Sequence, residues 1–450
     1  MKALPTVVMN ISPLKSLFLD KQQFFKKTGY MKYENNLAFA KAQDEKDPLK
    51  EYRNRFYIPV DKEDNELIYL CGNSLGCQPK SVAQYIEQEL NDWADLGVEG
   101  HFKEETPWMS YHEELAKPMA HIVGAKPSEV VIMNTLTTNL HLMMVSFYNP
   151  TPSRHKIIIE SDAFPSDKYA VESQIRQRGY DPETSLILWQ PRDGEELCRY
   201  EDLETLVKEH GDSVALLLIG NTNYYSGQCY PIKKITDLSH SNGSKVGFDL
   251  AHGVGNIMPD LHESGADFAV WCTYKYLNSG PGSLGGCFVH ERHHTDKNIQ
   301  RFTGWWGQNK DTRFNMRKGF DPIPTAEGWQ LSNPPILSMA AVKASLDIFD
   351  EAGMSNIRAK SEKLTGYLEF LVNELDNNHI SIITPSDPAQ RGCQLSIQVK
   401  NADKSLHKKL TEAGVISDWR EPDVIRVAPA PLYNSYQDVF EMVERLKKIL

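Results

Sequence analysis

Between about residues 96 and 335 the chain repeats one pattern, a short apolar run followed by a helical stretch. The runs are Val130–Met133, Lys156–Ile159, Leu186–Trp189, Val214–Ile219, Val246–Leu250, Phe268–Thr273 and Gly286–Val289. Most lack the alternation of a half-exposed strand, so they read as strands covered on both faces of a parallel or mixed sheet. Helical segments such as Ser166–Arg178 and Leu203–Glu209 fall between them. Strand and helix in alternation make an α/β layered domain. After Pro334-Pro335 the pattern changes. Val342, Leu346 and Phe349 recur at helical spacing, as do Ile357, Leu364, Leu368, Leu371 and Leu375. Strand-like runs follow at Ile380–Ile383, Leu395–Val399 and Val424–Val427, and an amphipathic helix closes the chain from about Tyr436 to Leu450. That tail reads as a smaller α+β unit. A length of 450 residues fits two or three such units.

Charge and cysteine usage narrow the function. The formal net charge is −11, which opposes general binding of nucleic acid, since that needs a basic surface. The 7 cysteines are scattered and form no C-x-x-C pair. A disulfide framework or cysteine-rich zinc site is not expected, and a reducing compartment is. No apolar run approaches a membrane span. The first 25 residues are broken by Pro5, Asn10, Pro13 and Lys15, so a secretory signal is rejected. A mitochondrial presequence fits the lysines there but not the lack of arginine; a cytoplasmic location is the expectation.

The stretch Val246–Gly255, VGFDLAHGVG, places Asp249 at the end of an apolar strand and His252 just beyond it. Ligands of open α/β sheets sit outside the carboxyl ends of the strands. A half-buried carboxylate there needs a cation; alone, it could equally cap the next helix. One crossover later, Phe268–Thr273 ends in Tyr274-Lys275, followed by Gly280, Gly282, Gly285 and Gly286. A lysine among aromatic neighbours can lose its proton and form a Schiff base. Pyridoxal phosphate requires such a lysine, and an acid that keeps its ring nitrogen protonated. Alone, Lys275 could be a snorkelling surface residue; the pair with Asp249 favours the cofactor.

Other segments supply parts of such a site. Asn134–Asn139 joins a strand to an apolar helix, and its hydroxyls and free N–H groups suit a phosphate, although simple capping by threonine is common. Phe164-Pro-Ser-Asp167 follows another strand and can offer a ring to stack on a flat cofactor. Gly304-Trp-Trp-Gly307 and Ser332-Asn-Pro-Pro335 suggest an aromatic-lined cavity or an interface. Arg426, on an otherwise apolar strand, invites a carboxylate or an internal ion pair. His293-His294 lacks H-E-x-x-H spacing, the glycines at 280–286 do not open a helix after a first strand, and no G-x-S-x-G elbow occurs. No metal is expected.

Taken together, the chain resembles the kynureninase family of pyridoxal phosphate enzymes of fold type I. The matching segments are YLCGNSLGCQPK (69–80), GVEGHF (97–102), NTLTTNLHLMM (134–144), AFPSDKYAVESQI (163–175), VGFDLAHGVGN (246–256), WCTYKYLNSGPG (271–282), GWWG (304–307), LSNPPIL (331–337) and IRVAPAPLYN (425–434). The resemblance implies a large domain over 96–335 with a mostly parallel seven-stranded sheet sandwiched by helices. It implies a small α+β domain over 336–450, and an N-terminal segment over 1–95 that packs in part with the small domain. Lys275 would be the Schiff-base lysine, Asp249 the partner of the pyridine nitrogen, with His252 beside it. Leu136 and Thr137 would hold the phosphate. Tyr274 would touch the phosphate and donate a proton. Phe164, Pro165, Ser166 and Asp167 would lie at the ring. Trp305 and Asn333 would come from the second subunit of a homodimer. Arg426 would grip the substrate carboxylate, and Ser74, His101, Ser332 and Asn333 would surround the substrate's aromatic end.

The implied reaction is hydrolytic cleavage of the Cβ–Cγ bond of L-kynurenine or 3-hydroxy-L-kynurenine. It gives L-alanine and anthranilate or 3-hydroxyanthranilate, in tryptophan catabolism and pyridine nucleotide biosynthesis. Two positions depart from the family. Gly220 stands where a serine is frequent, and Cys77 follows GNSLG in place of a bulkier apolar residue. The nearest competing readings are a cysteine desulfurase or an aminotransferase of the same fold. A desulfurase needs a cysteine on a mobile loop, and Cys393 enters a strand instead.

Overall fold

The computed structural model describes residues 32–316, 319–375 and 378–450. The candidate presequence therefore lies outside the described residues. Seven strands form the large sheet: β1 (Val130–Met133), β2 (Lys156–Glu160), β3 (Leu186–Trp189), β4 (Val214–Gly220), β5 (Lys245–Asp249), β6 (Phe268–Cys272) and β7 (Gly285–Val289). Their spatial order is β1-β7-β6-β5-β4-β2-β3. The pairs β3/β2, β2/β4, β4/β5 and β5/β6 are parallel, while β7 runs against both β6 and β1. A smaller antiparallel sheet follows, with β8 (Ile380–Ile382), β9 (Leu395–Val399), β10 (Asp418–Arg420) and β11 (Val424–Val427) in the order β8-β9-β11-β10. The expected α/β class, with a mostly parallel seven-stranded sheet, is borne out.

The helices used below are α1 (Leu37–Lys46), α2 (Val82–Leu96), α3 (Tyr111–Val123), α4 (Leu136–Phe147), α5 (Pro165–Gln177), α6 (Tyr200–His210), α7 (Ile232–Ser241), α8 (Ile336–Ala352), α9 (Met354–Asn373) and α10, the closing helix Tyr436–Ile449. The strand side chains alternate between two cores, as the pleat requires. Ile158, Leu217, Ile219, Val246, Phe248, Ala269 and Trp271 pack on one face with α3, α6, α7 and α8. Ile157, Ile159, Leu216, Leu218, Phe268 and Val270 pack on the other with α4 and α5. Both faces are covered, which is why the runs carry no polar alternation.

A third core joins β9 and β11 to α1, α10 and the second half of α9. Ile68-Tyr69 adds in parallel to Val415-Ile416, so part of the N-terminal segment belongs to this core. Sequence punctuation places a boundary at Pro334-Pro335, and α8 does start there. Its buried face (Met339, Val342, Leu346, Phe349) nevertheless lies in the core of the large sheet. The prolines mark a helix start, which is a local property; the change of core comes later, along α9.

Polar residues close the edge of the sheet away from the strand ends that carry Asp249 and Lys275. Asp267 is fully buried and accepts from Val246 N–H (2.9 Å), His240 Nε2 (2.9 Å), His293 Nε2 (2.8 Å) and Arg292 Nη2 (2.8 Å). His293 thus serves this network, and His294 bonds the Val289 carbonyl. Burial alone would raise the Asp267 pKa, but the bonds from His240 and His293 and the charge of Lys245 hold it well below the usual range. Its stabilisation is present above the ordinary carboxyl pKa and fades as pH falls below it. Asp267→Asn leaves Lys245 and Arg292 facing a neutral group, at an expected loss of about 3 kcal/mol near pH 7. Urea unfolding at pH 7 and pH 4 checks this; an unchanged midpoint at pH 7 refutes it.

Candidate active site

β5 and β6 are parallel neighbours, with Asp249 in register with Val270. The chain leaving each strand therefore emerges on one edge, and both meet in a cavity of about 240 Å³. Asp249 and His252 follow β5; Tyr274 and Lys275 follow β6; all four line the cavity. The Lys275 loop is pinned from outside, because Gly76 N–H donates to the Tyr274 carbonyl (2.9 Å). A Cβ on Gly76 would sit 2.4 Å from the Lys275 carbonyl oxygen and 2.1 Å from Asn278 Oδ1, so the close crossing requires glycine.

Lys275 Nζ lies 3.0 Å from His252 Nε2 and 6.0 Å from the centre of the Phe164 ring. His252 is buried, with Nδ1 unpartnered. Burial, then the Lys275 charge, depress its pKa well below that of free imidazole, so it faces the amine as a neutral acceptor. Asp249 is buried and accepts from Ala251 N–H (2.6 Å). Its carboxyl shares a hydrogen bond with Asp167. Burial raises both, and the charge of Asp249 raises Asp167 further, so Asp167 holds the proton and Asp249 is the anion. Burial also carries the Tyr274 phenol well above its ordinary pKa, which leaves it a proton donor.

Two helix N-termini complete one wall. Thr135 precedes α4 and Phe164 precedes α5, and neither side chain caps its helix. The simple capping role for threonine is thus corrected: Thr135 Oγ1 turns to Thr138 Oγ1 instead (3.2 Å). Thr137 Oγ1 and Ser166 Oγ stand 3.0 Å apart between the two helix starts. Converging hydroxyls and uncapped N–H groups make an anion cradle. Leu136, Thr137, Phe164, Ser166 and Asp167 line the cavity, and Pro165 supplies the first residue of α5. An amine, an opposed carboxylate, a flanking ring and an anion cradle fit the donor demands of pyridoxal phosphate.

The far side comes from the small sheet. Arg426 on β11 is 1% exposed; it pairs with Asp418 and donates to the Tyr224 carbonyl. Arg420 on β10 also bonds Asp418 (3.1 Å), and the Nε atoms of both arginines are buried without a partner. Ser74 lines the cavity near them. Five expected residues do not line it in one chain, Pro165 at the start of α5 among them. His101 bonds the Val98 carbonyl (3.0 Å) and packs edge-on to Trp108. Trp305 is 44% exposed, and Ser332 and Asn333 are exposed on their loop.

Sequence reasoning passed over Glu160, Asn223, Tyr224 and Arg420, all on the cavity wall. Glu160 had a signal: it ends the apolar run KIIIE just as Asp249 ends VGFD. Arg420 had none: it reaches the wall because β10 pairs with β11 beside Arg426, and the polar β10 offers no apolar run.

Comparison with known proteins decides the family. Residues 357–446 match the kynureninase C-terminal domain model. A kynureninase of Myxococcus xanthus is 54% identical over 92% of this chain and 97% of its own length. One from Koribacter versatilis is 53% identical over 90% and 96%. This chain belongs to the kynureninase family. It is a pyridoxal phosphate-dependent enzyme with kynureninase activity, as the sequence resemblance implied. Among solved structures, a C-DES mutant with glycine covalently linked to its pyridoxal phosphate cofactor superposes with TM-score 0.73 at 15% identity, over 88% of this chain and 98% of that one. The Escherichia coli cysteine desulfurase CsdA superposes with TM-score 0.72 at 16% identity, over 89% and 98%. These share the fold of type I enzymes. The desulfurase reading finds no nucleophile here: Cys393 is 0% exposed, and burial pushes its thiol up to about 12.

The buried neutral imidazole has a measurable signature. Unfolding frees His252 to take a proton near pH 6.5, which the folded state resists, so this group costs stability as pH falls below that value. A His252→Gln protein, which cannot titrate there, is expected to gain thermal stability relative to wild type between pH 7 and 5. A Tm difference that stays constant across this range refutes the assignment.

Proposed function

We propose that this chain cleaves L-kynurenine, 3-hydroxy-L-kynurenine or both, as a cytoplasmic homodimer in tryptophan catabolism and pyridine nucleotide biosynthesis. The supporting observation is the placement of the Lys275 amine and the Asp249 carboxylate on adjacent parallel strand ends of one cavity. When bound, pyridoxal phosphate supplies the electron sink that weakens bonds at the substrate's α-carbon. Lys275 Nζ holds the cofactor's place and then moves the α-proton, with the neutral His252 Nε2 3.0 Å away to receive its own proton. Asp249 holds the proton of the ring nitrogen, and the protonated Asp167 keeps the charge on Asp249. Thr137, Ser166 and the first turn of α4, which begins at Leu136, bind the phosphate. Phe164 and Pro165 cover the ring. Tyr274 holds a proton at its phenol oxygen for delivery to the β-carbon. Arg426 binds the substrate carboxylate and Ser74 faces its aromatic end.

His101, Trp305, Ser332 and Asn333 are assigned to the site of a second copy. That none of the four lines the one-chain cavity, and the exposed apolar rings of Phe102, Trp305 and Phe314, support this. The seven free cysteines support a reducing compartment. Among the described residues no helix is long and apolar enough to cross a membrane. The expected division into units over 1–95, 96–335 and 336–450 is kept as part of the proposal, with α8 packed on the large unit.

Lys275→Ala is expected to abolish release of anthranilate from kynurenine and the covalent fixing of cofactor by borohydride; normal turnover ends the assignment. Arg426→Ala is expected to raise KM for kynurenine about 30-fold, equivalent to ~2 kcal/mol. An unchanged KM makes the arginine structural. Mixing inactive Lys275→Ala with a crippled Asn333→Ala is expected to restore roughly a quarter of wild-type activity if sites are shared between subunits. No restoration places Asn333 outside the partner's site.

A further inference from the structure

Glu160 ends β2 inside the same cavity as Asp167 and Asp249, and is 2% exposed. Gly220 N–H donates to both of its oxygens, at 2.9 and 3.1 Å. No lysine, arginine or histidine pairs with it among the described residues. Gly220 ends β4 in register with Asp249, and the next residue, Asn221, donates its N–H to the Asp249 carbonyl (2.9 Å). A Cβ at position 220 would stand 3.0 Å from Glu160 Oε1. The glycine that departs from the family's serine therefore leaves room for this carboxyl group.

We propose that Glu160 is a positioning residue: through Gly220 it fixes the strand end that carries Asp249, and it holds a buried proton that leaves the negative charge on Asp249. The inference rests on the kynureninase reading and adds a third carboxyl group to its cofactor end. The absence of a cationic partner beside Glu160 among the described residues leaves a proton to neutralise it. Asp162 in the following loop, Asp167 on α5 and Asp249 on β5 face Glu160, with Cys198 and Tyr230 nearby. Lys275 is the cation that faces Asp167 and Asp249. Carboxyl groups packed this densely in low dielectric cannot all ionise. Burial raises Glu160 to about 8 against the lowering effect of the Gly220 N–H bond, with smaller upward contributions from the charges of Asp162 and Asp249. A neutral Glu160 adds no second anion behind Asp249, so the ring nitrogen meets one carboxylate whose position is set by strand pairing.

The test compares wild-type holoenzyme with Glu160→Gln, which keeps an acceptor for Gly220 but has no proton to lose. The folded protein keeps the Glu160 proton from about pH 4.5 to 8 while the unfolded chain gives it up, so this group costs stability as pH rises through that window. The Tm of Glu160→Gln is expected to pull ahead of wild type from pH 5 to 8 and then hold a constant lead. The cofactor's visible absorbance is expected to show a proton step near pH 8 in wild type that is missing in the variant. Glu160→Leu, which orphans the Gly220 N–H, is expected to lose at least tenfold more cofactor affinity than Glu160→Gln. Should Glu160→Gln fail to fold, infrared spectra of wild type labelled at glutamate carboxyls decide: a protonated band at pH 7 that vanishes above pH 9 supports the proposal, and its absence overturns it. A wild type that takes up no pyridoxal phosphate overturns the kynureninase reading. A wild type that does, with titrations and Tm differences superimposable on those of Glu160→Gln, overturns the Glu160 proposal alone.

Discussion

The parallel pairing of β5 with β6 is the constraint on which the site depends. Parallel strands end on the same edge, so two chain segments separated by a crossover deliver an acid and an amine to one place without either reaching far. The pairing is internal to the sheet and both its faces are packed, so neither strand can slip without turning Phe248, Val270 or Trp271 to the wrong core. The antiparallel β7 then closes β6 against β1, which brings the start of α4 to the same edge. Rigid strands place the charges; short turns present them.

Charge is arranged by depth. At one edge of the sheet Asp267 is ringed by His240, Lys245, Arg292 and His293, so one acid faces several basic groups. Around Asp249 at the other edge, two buried carboxyl groups face one amine, and a proton takes the place of the missing counter-ion. Asp167 carries one for Asp249. The two edges use the same residue types, and the balance of partners separates a structural cluster from a reactive one.

Much of this was legible in the chain. Buried strands appear as unbroken apolar runs, and the seven runs predicted agree with β1–β7 to within a residue or two at either end. Asp249 and Lys275 were found because each follows such a run. Glu160 obeys the same rule but lies one residue past the run Lys156–Ile159, and nothing in KIIIE distinguishes a surface acid from a buried one. β10 was missed because Asp418-Trp-Arg420 carries polar residues that face the cavity, and so breaks the pattern that reveals strands. The prolines at 334 and 335 report where α8 starts, a local property; that its buried face joins the core of the large sheet depends on tertiary packing, which the sequence pattern does not carry. Residues on exposed loops, such as Trp305 and Asn333, have no physical signal within one chain; only their motifs mark them.

The arginine pair shows how the free site manages a buried charge. Burial disfavours the charge of Arg426, and Asp418 supplies its counter-charge from the neighbouring strand. Arg420 shares that same carboxylate, so two guanidinium groups are held by one acid, with an excess positive charge and two unpartnered Nε–H groups at the cavity wall. The wall there is short of one negative charge. Both arginines stand on the small sheet while the Lys275 amine follows β6 of the large one, so the two cores contribute different walls of a single cavity.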